Sequence, residues 1–543
     1  MSAILNNKLR QAAAALAMDD HPGAERLSRE ILQLAPLHPH ALTWLGIALA
    51  GQGRHAESVG CFQRAAAAEP RNPGAHLNVG NASIEVGDWQ RAIGAFRQAL
   101  ALNPAYPEAL NSLGVALAQQ GSADEAIACY RKALDLRPDY AEAHNNLGHA
   151  LLAGGDDVQA LICFRRAATL QPDNAAYHHD LGTVLAECDA REEAVVHYER
   201  ALAVSPGNVD SQYSLAVLRL FRREFDPGWR DYESRFRCQD IRSSMRKSVA
   251  TVALYERLRR WRGRGEAGVG TVAIWAEQGL GDQVLFSTLL PALIEAKVSI
   301  VYEVDSRLLG TYKRAFPEIQ FVPCSEPPDE ALQRASRVLM AGSLPGMFRC
   351  SQADFARQPA RLLGAQPARV AHYRRRLDEQ GPRLKVALSW WSSRKDHLGP
   401  RKSAPLKQFA ALLRLPGAQF VDVQYGDTSA ERRAAEEDAG ARMLRFDEVD
   451  HYNDLEELLA ILEACDLVIT TSNVTAHLAG ALGKRTWLLY LADRPPFHYW
   501  AHEGSYRCLW YPSVEIISGP GYTAWEELIT HAAQRLKSMT GRQ

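Results

Sequence analysis

"AEQGLGDQVLF" runs from Ala276 to Phe286. Two glycines, an Asp and a Gln separate an apolar run, "TVAIWA" (Thr271–Ala276), from a stretch of helical period that begins at Gln283. Strand, glycine turn and helix together make the repeating unit of a parallel α/β sheet, whose ligands bind beyond the carboxyl ends of the strands. A glycine turn in that place often cradles phosphate. An acid inside the turn repels phosphate, so Asp282 is a candidate proton acceptor, or else a cap on the helix that follows. The spacing is not GxGxxG, so the turn carries no dinucleotide fingerprint.

The same texture continues downstream. "VSIVYEV" (Val298–Val304), "IQFVPCS" and "SRVLMAG" predict strands, and Gln283–Ala296 predicts one helix. A second series follows: "LKVALSWWSS" (Leu384–Ser393), "AQFVDVQYGD" (Ala418–Asp427), "CDLVITTS" (Cys465–Ser472) and "RTWLLYL" (Arg485–Leu491). Helices are expected at Asp454–Ala464 and around Ala476–Leu482. Two α/β halves, 269–375 and 376–543, then leave a cleft between them.

"TTSNVTAHLAGALGKRTWLLYL" (Thr470–Leu491) is the second informative turn. A strand ends at Ser472–Asn473 and a helix of small residues begins. Free N–H groups at a helix start, with its partial positive charge, suit phosphate oxygens. Ser472, Asn473, Val474 and Thr475 lie there, and His477 is one turn in. That histidine either donates to phosphate or ribose, or is buried and bonded to backbone. Arg394, Lys395, Arg401 and Lys402 offer counter-charge after the first strand of this half, some of them as solvated side chains only. Gln424 and Tyr425 end a strand toward the same cleft and are candidates for base or ribose contacts. Gln278, Gly279, Gly281, Ser389 and Trp390 are further candidates for binding a ligand in that cleft.

The first half reads differently. Gly46, Gly80, Gly114, Gly148 and Gly182 are 34 residues apart, as are Pro70, Pro104, Pro138, Pro172 and Pro206. Ala65, Ala99, Ala133, Ala167 and Ala201 keep the phase, and so do Phe62, Phe96, Tyr130, Phe164 and Tyr198. Such a period predicts helix pairs in which Gly and Ala permit close approach and Pro ends the second helix. A degenerate unit is expected at about 5–38, and "FDPGWRDYESRF" (Phe225–Phe236) puts Tyr232 on the aromatic position of a degenerate seventh. Atypical end units are expected, each having one face without a neighbour. Asn78, Asn111, Asn145 and Asn146 fall on first helices. They would bond the backbone of an extended protein segment in a concave groove, or only stabilise contacts between helices. Between the halves, residues 241–268 form an Arg-rich linker: a solvated face, or an attractor for a phosphorylated donor.

Composition sets the limits. Over 543 residues, 47% apolar and 23% charged content indicates several globular domains. A formal net charge of -1 gives no general attraction to nucleic acid or anionic membrane. No run reaches the ~18 apolar residues of a membrane helix. Lys8 and Arg10 before "AAAALAM" loosely imitate a signal peptide, but the repeat register absorbs that segment as a first helix. The 9 cysteines form no CxxC pair, which favours a reducing cytosol and gives no zinc site.

The 34-residue pattern resembles the tetratricopeptide repeat. "EQGLGDQVLFSTLLP" together with "HLAGALGKRTWLLY" resembles heptosyltransferase-related glycosyltransferases, with "WRG" (Trp261–Gly263), "LSWWSS", "VDVQYGD" and "WYPS" (Trp510–Ser513) as further marks. The layout is similar to repeat proteins with such a domain at the carboxyl end, some of them bacterial flagellin glycosyltransferases whose repeats bind flagellin. The resemblance implies an α-helical solenoid over 1–240 followed by a GT-B domain of two Rossmann-like halves, the second binding the donor. It implies Asp282 as general base, a nucleotide-activated sugar as donor, inversion at the anomeric carbon, no metal, and a protein acceptor such as flagellin modified at Ser or Thr. A glycan or lipid-linked acceptor, or a scaffold without turnover, are the alternatives. One departure stands out: these enzymes usually carry an Asp before the HLAGALG-like helix, where this chain has Thr471–Ser472–Asn473. The donor therefore need not be ADP-heptose; CMP-activated nonulosonic acids are another candidate.

Overall fold

The computed structural model describes residues 2–188, 190–239, 249–263, 266, 270–277, 279–392, 403–491, 498–500, 507–518 and 524–540. Gln278, Arg394, Lys395, Arg401, Lys402 and residues 241–248 of the basic linker lie outside them. The chain divides into two compact units, Met1–Leu185 with Ala203–Ser205, and Ala186–Leu202 with Pro206–Gln543.

The first unit is built of antiparallel helix pairs, among them Pro39–Gly51 with His55–Ala68, Pro73–Glu85 with Trp89–Leu102, and Pro107–Gln119 with Ala123–Leu136. Proline opens each of these first helices, where its missing N–H costs nothing. The phased glycines face the phased rings. A Cβ on Gly80 would stand 2.2 Å from the Phe96 ring, and one on Gly114 would stand 2.5 Å from Tyr130. No side chain fits there without displacing the aromatic that fills the pair. A second phased set makes the turns: Gly53, Gly87, Gly121 and Gly155 have φ of +76°, +74°, +82° and +83°. Asp19 and Arg223 hold the same phase with φ of +56° and +63°, so the end hairpins keep the left-handed turn without glycine. Successive pairs are stitched by histidine, since the Nε2 atoms of His76, His144 and His178 lie 3.0 Å from the carbonyl oxygens of Pro70, Pro138 and Pro172.

In the second unit the hairpin Val209–Phe221/Phe225–Tyr232 leads into two parallel sheets. The first has the order β3-β2-β1-β4, with β1 Val272–Trp275, β2 Ile300–Val304, β3 Gln320–Pro323 and β4 Arg337–Met340. The second has the order β6-β5-β7-β8-β9, with β5 Leu384–Ser389, β6 Ala418–Asp422, β7 Leu467–Thr470, β8 Thr486–Leu489 and β9 Val514–Ile517. The central strands β1, β2 and β7 are buried at every position, as parallel strands covered on both faces must be. One apolar core runs through both sheets' helices and includes Val284 and Leu285 from one half and Ala476 and Leu478 from the other. Trp261 of the "WRG" segment is buried, its backbone N–H donating to Val338 O of β4 at 3.0 Å.

One expectation needs correction, and one strand is new. The single helix at Gln283–Ala296 is broken: Leu280–Phe286 is followed by a 3-10 turn, Ser287–Leu289, and then Leu290–Glu295. Pro291 offers no N–H and its ring conflicts with the carbonyl four residues back. The strand β9 follows "WYPS" and was not expected.

Candidate active site

The first turn begins where β1 ends. Gly279 caps the Leu280–Phe286 helix from an extended backbone, and Asp282 sits third inside it. The Asp282 carboxylate accepts the Gly279 N–H at 3.2 Å. It therefore does cap the helix, from within the first turn rather than ahead of it. Gln283 serves geometry: its Oε1 accepts the Asp305 N–H at 2.8 Å, tying the helix to the end of β2.

The second turn ends β7. Asn473 precedes the Val474–Ala481 helix, and among the described residues no side chain caps that helix. Its first amides are left facing outward along the axis, the arrangement that suits an anion. The Asn473 side chain is turned aside: Nδ2 donates to Ser389 Oγ at 2.9 Å and to Trp391 O at 3.3 Å, and Oδ1 accepts from Thr470 at 2.9 Å. Ser472 Oγ accepts the Trp500 indole N–H at 3.1 Å. Val474 and the buried Thr475 form the first helical positions, with Thr475 Oγ1 3.5 Å from Ser389 Oγ.

These two helix starts meet. A Cβ on Gly281 would lie 3.0 Å from His477 Cδ2 and 3.3 Å from its Nε2, so glycine is what admits the imidazole. His477 is 4% exposed, and its Nδ1 is 3.2 Å from the Tyr511 hydroxyl. Tyr511 explains two marks at once. It bonds His477, and a Cβ on Gly480 would come within 2.5 Å of its ring, which is why small residues follow the histidine. Burial raises the Tyr511 phenol well above its ordinary pKa, and the nearby Asp282 charge adds to this. Burial likewise pushes Tyr213 up to about 12, with Asp282 again contributing. Tyr213 and Tyr232, 5.6 Å apart ring to ring, come from the last helical hairpin. That hairpin thus reaches the neighbourhood of Asp282.

His498 closes this aromatic wall, its ring 5.4 Å from Trp229 and 5.9 Å from Tyr232. Its Nε2 is shielded from solvent with no partner among the described residues. Burial lowers its pKa from 6.5 to about 3. Below pH ~6.5 the unfolded chain takes up a proton that the folded chain refuses, so stability falls as pH falls. Replacing His498 by Phe should remove about 1–2 kcal/mol of the loss between pH 6.5 and 5. Urea unfolding of both proteins across that range checks it; parallel pH profiles would contradict it.

The remaining candidates separate into two groups. Ser389 and Gln424 are wholly buried and form a bracket: Gln424 Oε1 accepts from Ser389 Oγ at 2.8 Å, Trp390 N at 2.9 Å and Trp391 N at 3.1 Å. Trp390 lies in the core, its indole donating to Glu431 at 3.0 Å. The outward place belongs to Trp391, whose ring is 4.9 Å from Tyr425, itself 5.9 Å from Tyr452. Arg307, from the other half, lies 4.9 Å over the Tyr452 ring and donates to its carbonyl at 3.0 Å. Trp391, Tyr452 and Arg307 were not singled out by sequence. The doubled tryptophan is visible there, but not which ring points outward.

In the repeats three of the candidate asparagines, Asn111, Asn145 and Asn146, join neighbouring first helices. Asn146 Nδ2 donates to Asn111 Oδ1 at 2.9 Å, Asn111 to Glu142 at 3.0 Å, and Asn145 to Asp180 at 2.9 Å. Asn111 and Asn145 are buried and Asn78 is half-buried. Contacts between helices are therefore realised.

Comparison with known proteins follows this division. The tetratricopeptide repeat description matches residues 9–73 and 141–174, and the TPR repeat description matches 80–121 and 116–155. Among solved structures, a tetratricopeptide repeat protein from Parabacteroides merdae shares 17% identity over 42% of this chain and 91% of its own, with a TM-score of 0.37. PilF of Pseudomonas aeruginosa shares 17% over 39% of this chain and 96% of its own, with a TM-score of 0.35. Protein FlbA of Caulobacter vibrioides is 31% identical over 340 residues, 60% of this chain, and the match spans 54% of that protein, about half its length. The first half of the chain is an array of tetratricopeptide repeats, and the second half is a parallel α/β structure.

Proposed function

We propose that the second unit is a glycosyltransferase of the GT-B fold that moves a sugar from a nucleotide donor to Ser or Thr of a protein recruited by the repeats, with flagellin a candidate acceptor. The observation that carries this reading is the meeting of two turns at the carboxyl ends of two parallel sheets, one bearing a carboxylate and the other an uncapped helix start. Asp282 takes the acceptor hydroxyl's proton as its oxygen bonds the anomeric carbon. The anomeric C–O bond to phosphate breaks on the opposite face, the nucleotide keeps the electron pair, and configuration inverts. Amides at Val474 and Thr475 receive the charge that develops on the departing phosphate, in place of a metal. Trp391, Tyr425 and Tyr452 offer a row of faces for the base. The FlbA match supports an extension beyond the repeats, since 60% of the chain exceeds what the helices up to Tyr232 contain. A binding scaffold without turnover is favoured by the internal engagement of Gln424 and Asn473.

The test is transfer itself. The purified chain is incubated with flagellin and a panel of sugar nucleotides, and intact masses are recorded. A gain of one glycosyl mass on the protein with one donor is the expected result. Donor binding without transfer to protein, glycan or lipid-linked sugar would leave the scaffold.

A further inference from the structure

Arg235 and Glu277 are both withdrawn from water, at 0% and 1% exposure, and face each other two-pronged: Nη2 to Oε1 at 3.0 Å and Nε to Oε2 at 3.2 Å. Arg235 also donates to Ser343 Oγ at 2.8 Å, to Glu233 at 2.8 Å and to the Tyr232 carbonyl at 3.2 Å. Glu277 accepts the Gly342 N–H as well. A Cβ on Gly342 would stand 2.1 Å from Glu277 Oε1, so only glycine admits this contact. The three anchors have different origins. Arg235 lies in the 3-10 turn Glu233–Phe236 directly after the last helical hairpin, Glu277 follows β1, and Gly342–Ser343 follow β4, the neighbour of β1.

Burying two charges costs several kcal/mol per ion, and a well-filled apolar pair often stabilises as much or more. Stability alone therefore does not account for the pair. A planar guanidinium gripping both carboxylate oxygens does fix direction, which neither a lysine nor an apolar pair does. Glu277 lies two residues before Gly279 and five before Asp282. Resting on the transferase reading above, we infer that Arg235 is a positioning residue: through Glu277 it holds the turn that aims Asp282, making the last helical hairpin part of the catalytic apparatus.

The test uses the full chain with Arg235→Lys and with the apolar replacement R235M/E277L. Backbone amide exchange is followed by mass spectrometry over 276–286, and transfer kinetics are measured beside it. R235K keeps the charge and guards against simple misfolding. In both variants, amides of 279–282 should exchange on the order of tenfold faster while β5 and β7 exchange as in the parent. The kcat should fall on the order of 10–100-fold with KM for both substrates nearly unchanged. R235M/E277L should regain thermal stability without regaining kcat. Parent-like exchange of the turn in R235M/E277L, or recovery of kcat with stability, overturns the inference. If the parent chain transfers no sugar at all, the transferase reading fails, and the exchange measurement still decides whether Arg235 holds the turn.

Discussion

Asp282→Ala should lower transfer by about 10²–10⁴-fold while donor affinity stays within about twofold. The reason lies in what the residue touches. Its carboxylate is bonded to the Gly279 N–H, and its charge reaches Tyr213, Tyr232 and Tyr511. On the proposed reading the donor's phosphates rest on the other helix start, so loss of the acid should leave their site intact. The Ala variant also loses a cap, at about 1 kcal/mol, which alone could soften the turn. Asp282→Asn separates the two roles. An amide oxygen still accepts the Gly279 N–H, but it takes no proton. Both variants should therefore be inactive in single-turnover assays and bind donor normally by calorimetry. An active Asn variant would reduce Asp282 to a structural cap.

The second large effect concerns the repeats. Removing residues 1–185 should lower kcat/KM for a protein acceptor on the order of 10²–10⁴-fold, with slow donor hydrolysis unaltered. Tethering an acceptor segment raises its effective concentration at the base without changing the chemistry. The cut falls at Leu185 because the hairpin at Val209–Tyr232 belongs to the second unit. Trp229 donates to Arg349 O at 2.9 Å and Arg235 grips Glu277, so a cut beyond Asn208 would open the core. Unchanged modification by the shortened chain would redirect the search to a glycan or lipid-linked acceptor.

Legibility followed the range of the forces involved. The 34-residue phase is a local steric demand repeated many times, and it survived even where glycine did not, at Asp19 and Arg223. Strands β1 to β8 announced themselves as β-branched or apolar runs before turns. β9, Val514–Ile517, has Glu515 at its second position, which leaves only two consecutive apolar residues and no run to notice. Trp390 and Trp391 are equivalent in sequence, and only the path of the chain just past β5 puts the first in the core and the second beside Tyr425. Gln424 and Asn473 looked like ligand groups because they are polar and end strands. Their partners, Ser389 and Trp391, lie 33 to 84 residues away and occupy them. The Arg235–Glu277 pair spans 42 residues between different kinds of structure, and no pattern in the chain points to it. Asp282 and His477 were each recognisable in their turns, but not that Gly281 lets one turn seat the imidazole of the other.

The most direct measurement is a crystal structure of Asp282→Asn with an intact sugar nucleotide. Phosphate oxygens are expected on the amides of Val474 and Thr475, with residue 282 on the opposite side of the anomeric carbon. Phosphates bound elsewhere, or a sugar whose reactive face turns away from residue 282, would contradict the proposed function.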